Sequence, residues 1–123
     1  MAASEGFQAV FEQFRTILKQ FESQLVVQHD APDNYCLNTP YTEKYKKELF
    51  FGAVQVKKNY VSYHLMPVYM FPDLLEDISP KLRARMQGKS CFNFRKIELE
   101  QLEELEQLSQ RGLARLKGEG LLP

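Results

Sequence analysis

The chain has 123 residues, balances 16 Lys+Arg against 16 Asp+Glu, and is 44% hydrophobic and 26% charged. That length suits one domain with its own core, and the composition is that of a globular protein rather than a disordered or fibrous one. A formal net charge of +0 supplies no long-range field for polyanions, so neither nucleic acid nor a membrane surface is an expected partner.

The opening MAASEGFQ has neither the basic start nor the apolar core of a secretory signal. No apolar run approaches the ~20 residues a membrane helix needs. With only two cysteines, Cys36 and Cys91, far apart in sequence, a cytoplasmic protein with reduced thiols is expected, a disulfide between the two being the alternative.

Along the chain, residues 5–24 give the clearest helix. Phe7, Val10, Phe11, Phe14, Ile17, Leu18, Phe21 and Leu25 recur at spacings of three and four and form one apolar stripe, with Glu12, Arg15, Lys19 and Glu22 off it. Ser4 is the expected N-cap, and Glu5 suits the positive end of the helix dipole. Leu25-Val26-Val27 starts a strand, which the turn residues from Asp30 to Asn34 end. Tyr35 to Thr39 is a short strand stopped by Pro40, and Thr42 to Glu48 is a loop or one helical turn. Glu48 to Pro72 then reads as a β-hairpin turning at Lys57-Lys58-Asn59, with Tyr60, Ser62, Tyr63, His64 and Tyr69 on its second strand.

Leu74, Leu75 and Ile78 suggest a short helical turn, and Ser79-Pro80 a helix start, with Gly88 as the stop. Ser90 to Arg95 alternates as a strand does. Residues 98–117 form a second long helix on Leu102, Leu105, Leu113 and Leu116, acidic at its start and basic at its end, as the dipole favours. The tail from Gly118 to Pro123 is expected to fray. The order α-β-β-β-β-α-β-α predicts an α+β fold. It is a two-layer sandwich of an antiparallel sheet of about five strands with the N- and C-terminal amphipathic helices on one face. It forms a single domain over residues 1–123 with an ordered core of about 5–117.

The candidate chemistry is sparse. Gly88-Lys89-Ser90 has the ending of a phosphate-binding loop, but Arg83 stands where the leading glycine belongs and the order is helix to strand. His29, His64, Cys36 and Cys91 show no metal-ligand spacing. Lys81, Arg83, Arg85, Lys89, Arg95 and Lys96 form a basic cluster, read as a solvated face or a docking patch for an acidic partner. With helices on one sheet face, the other is polar or used by a partner, and Gln55, Tyr60, Ser62, His64 and Tyr69 are its candidates. Such aromatic-polar surfaces more often bind than catalyse. The carboxylates Glu100, Glu103 and Glu104 on the last helix are the candidate cation ligands.

The hairpin FFGAVQVKKNYVSYHLMP and the strand GKSCFNF, set between two amphipathic helices, resemble the YdhG-like family of small bacterial proteins, a domain of unknown function. The resemblance spans about Phe7 to Lys117, and Asn93 stands where many relatives have Arg. Some relatives are described as frataxin-like iron chaperones, so the resemblance implies two helices on an antiparallel sheet and iron as a cargo. No family iron ligand maps onto this chain position by position. The function expected is therefore non-catalytic binding of a protein partner or small ligand through the hairpin face, without a resident cofactor. The alternatives are an iron chaperone using surface carboxylates and an enzyme using His64 with Tyr60 or Tyr63. A homodimer would be a common solution for the uncovered sheet.

Overall fold

The computed structural model describes the backbone of residues 2–122 and the side chains of residues 6–122. Five strands, β1 (Val26–Ala31), β2 (Asn34–Asn38), β3 (Phe50–Val56), β4 (Val61–Leu65) and β5 (Cys91–Phe94), pair antiparallel in sequence order. Two long helices, α1 (Ala2–Lys19) and α4 (Leu99–Gly118), flank them in sequence. Two short ones, α2 (Met66–Met70) and α3 (Pro80–Arg83), lie between β4 and β5. The α+β class and the element order expected from the sequence hold, with α2 inserted.

The apolar stripe of α1 lies on the sheet: Phe11, Phe14 and Leu18 are fully buried against the core, and Phe7 is half-buried at its edge. Phe14 meets Tyr63 and Phe94 edge-on, each at 5.2 Å between ring centroids, and Phe21 meets Phe51 at 6.0 Å. Edge-to-face pairs at this spacing add about 0.5–1.5 kcal/mol each beyond their area burial. Gly52 allows the close approach: a Cβ there would stand 3.0 Å from the His64 carbonyl oxygen and 3.3 Å from Leu18 Cδ2. Between Leu37 and Asn38 the β2–β3 register slips, leaving Phe51 as the extra residue, and its ring is buried in the core. Buried Leu105, Leu108, Leu113 and Leu116 of α4 complete the layer. Gly112 brings α4 against Pro67, which a Cβ would meet at 3.0 Å.

Five local expectations change. Helix α1 ends at Lys19 rather than running to residue 24, and Glu22–Gln24 forms a separate 3-10 turn before β1. Helix α1 already runs through Ser4 and Glu5, whose side chains lie outside the described residues. The hairpin's second strand ends at Leu65, because Pro67 cannot donate to a ladder and starts α2 instead. Tyr69 is therefore a helical residue. Helix α3 stops at Arg83, so Gly88, with φ 83°, is a turn before β5 rather than the helix cap. The C-terminal tail does not fray: Gly120, at φ 76°, closes α4, with Gly120 N–H donating to the Lys117 carbonyl and Leu121 N–H to that of Leu116. That pair of bonds is a Schellman motif, and it folds Leu121 and Leu122 back into the core. Among the described residues no helix is long and apolar enough to cross a membrane.

Candidate functional site

Strand alternation sorts the sheet into two faces. Tyr35, Leu37, Val54, Tyr63, Phe92 and Phe94 point into the helix layer and are buried. Their neighbours project from the opposite face. The register aligns those neighbours in two rows across all five strands. One row is His29, Cys36, Ala53, His64, Cys91; the other is Ala31, Asn34, Gln55, Ser62, Asn93. Cys36, His64, Cys91, Asn34, Gln55 and Asn93 are half-buried, and they shield Ala53 and Ser62 at the middle of the face.

The central part of these rows is hydrogen-bonded. Ser62 Oγ lies 3.2 Å from His64 Nε2, and Cys91 Sγ lies 3.8 Å from the same nitrogen. The Cys91 thiol donates to Asn93 Oδ1 at 3.2 Å, and Gln55 Nε2 donates to Asn34 Oδ1 at 3.4 Å. Burial lowers the His64 pKa, and the positive charge of Lys57 lowers it further. Burial raises the Cys91 pKa, which Lys57 partly offsets, and burial also raises that of Cys36. At neutral pH the face thus presents a neutral imidazole and two protonated thiols, with the Lys57 ammonium beside them. The two cysteines stand three strand spacings apart, roughly 14 Å at ~4.8 Å per strand, far beyond the ~7 Å Cα limit of a disulfide. Both are free.

The structure brings together Gln55, Ser62 and His64 and separates the other candidates from them. Tyr60 is half-buried in the turn preceding β4, one residue outside the strand. Tyr69, 54% exposed, is carried by α2 and is absent from the sheet rows. Tyr63 faces the core and bonds Ser109 of α4, so it cannot act with His64 on the other side of the sheet. Among the cation candidates, Glu100 and Glu103 are exposed on α4. Glu104 instead holds the start of α3, accepting from Ser79 N–H at 2.6 Å and Ser79 Oγ at 2.7 Å. No group of three or more His, Cys, Asp or Glu side chains among the described residues is placed to hold a metal ion.

The sequence reading passed over Cys91, Asn93, Cys36 and Asn34 as members of this face. The alternation of SCFNF put Cys91 and Asn93 on one side of a strand, but only the β4–β5 register sets them beside His64 and Ser62. In comparisons with family models, curated proteins and solved structures, nothing matches this chain.

Proposed function

We propose that the protein is a non-catalytic binding module that holds a protein partner or a small ligand against the helix-free face of its sheet, over Gln55, Ser62 and His64. The observation that carries this reading is the aligned pair of rows across five strands, in which Asn34, Gln55, Ser62, His64 and Asn93 supply donors and acceptors. A thiol nucleophile needs a lowered pKa, whereas burial moves Cys91 the opposite way and keeps His64 neutral. That combination favours recognition over nucleophilic chemistry. A second copy of the chain is one partner the face would accept, and two reduced thiols suit a cytoplasmic setting. Membership in the YdhG-like family belongs to the same proposal and rests on the hairpin and the GKSCFNF strand.

Native mass spectra of untagged protein, prepared without chelator, test the reading. We expect an added mass on the wild type that is lost from the Gln55→Ala, His64→Ala double variant. An added mass that the variant keeps at the same stoichiometry would place binding elsewhere.

A further inference from the structure

Tyr69, separated from the sheet face by the Pro67 break, stands at the mouth of a different feature. The segment between β4 and β5 encloses a cleft of about 560 Å³. Its size falls within the ~300–1,000 Å³ range of small-molecule sites. Val68, Tyr69, Leu75 and Met86 give it apolar walls, and Arg83 and Lys89 are its charged lining residues. No Asp or Glu lines it. Neither cation forms an ion pair among the described residues, although Lys81 of the same basic cluster is paired with Glu98. The Arg83 guanidinium is held at the wall by donating one N–H to the Leu75 carbonyl, which leaves its other donors for a ligand. An apolar hollow with two uncompensated cations at its margin is complementary to a molecule with an apolar body and one anionic group.

We propose that this cleft binds a small amphipathic monoanion, an alkyl or aryl carboxylate, with its carboxylate between Arg83 and Lys89 and its apolar body against Val68, Leu75 and Met86. The site is distinct from the sheet face and stands or falls separately from it.

The probes are octanoate, octanol and octylammonium, titrated into the ¹⁵N-labelled full chain and followed by amide shifts. Octanoate is expected to move the amides of Val68, Tyr69, Leu75 and Lys89 saturably, and to bind at least about tenfold more tightly than octylammonium. Lys89→Gln, at an exposed position, and the double variant with Arg83→Gln are expected to weaken octanoate about tenfold or more while leaving octanol unchanged. Lys89→Gln keeps the test open if loss of the Arg83 bond to Leu75 disturbs the wall. Equal affinity for octanoate and octylammonium, unchanged octanoate binding in both variants, or no saturable shift at these amides would overturn the proposal. Shifts confined to Gln55, Ser62 and His64 would likewise overturn it while favouring the sheet face.

Discussion

Ser79 joins three parts of the molecule through one side chain. Its hydroxyl accepts from Leu82 N–H at 3.1 Å, capping α3, and donates to Glu104, whose other carboxylate oxygen takes the Ser79 N–H. The Ser-Pro pair announced the cap in the sequence, but the carboxylate that completes it comes from α4 and was read there as a cation ligand. Ser79→Ala is expected to cost about 1–2 kcal/mol in urea unfolding, since it removes a cap and one of the two hydrogen bonds to the half-buried Glu104 carboxylate, the bond from the backbone N–H remaining. Glu103→Gln, on the exposed side of the same helix, is expected to stay within about 0.5 kcal/mol of wild type. His64 yields a pH prediction. Its folded-state pKa is lowered, so the unfolded chain binds the proton more readily. Stability from this group is therefore present above its ordinary pKa of about 6.5 and is lost as pH falls below it. An NMR titration is expected to place the His64 midpoint below 6.5, and Lys57→Gln to move it upward. A midpoint at or above 6.5 would show that neither burial nor Lys57 acts on the ring.

Among the elements, those with long periodic patterns were legible and those decided by single residues were not. Of the eight apolar positions at helical spacing, six lie in α1 and two, Phe21 and Leu25, beyond its end, and all but Phe7 are buried. Helix α2 was read as strand because Val68 and Tyr69 favour sheets, although Pro67 is the residue that forbids one. A chain terminus is by default expected to fray. In the structure Gly120 makes the αL turn that returns Leu121 to the core, and the Leu-Leu pair after the glycine was the available sign. Gly120→Ala is expected to lower stability by roughly 1–2 kcal/mol, because alanine resists positive φ. It should also raise hydrogen exchange at Leu121. Unchanged stability and exchange would mean that the tail does not depend on this turn.

At the scale of the whole molecule, alternation within the hairpin was enough to predict a polar second face and to place Gln55, Ser62 and His64 on it. The rest of that face depends on which strand lies beside which. His64 and Cys91 are 27 residues apart and meet only through the β4–β5 register, which no local pattern encodes. Tyr69 leaves the sheet face for a local reason, the Pro67 break, and Glu104 is engaged for a tertiary one, its bonds to Ser79. The sandwich therefore separates two surfaces: a flat polar sheet face, and a cationic apolar cleft built by the segment between β4 and β5. A fragment screen of neutral amides and small peptides, read by amide shifts over the full chain, tests the sheet-face reading most directly. We expect hits that move Gln55, Ser62, His64 and Asn93 together and saturably. Hits that bind the protein while leaving all four unmoved would contradict the sheet face as its binding surface.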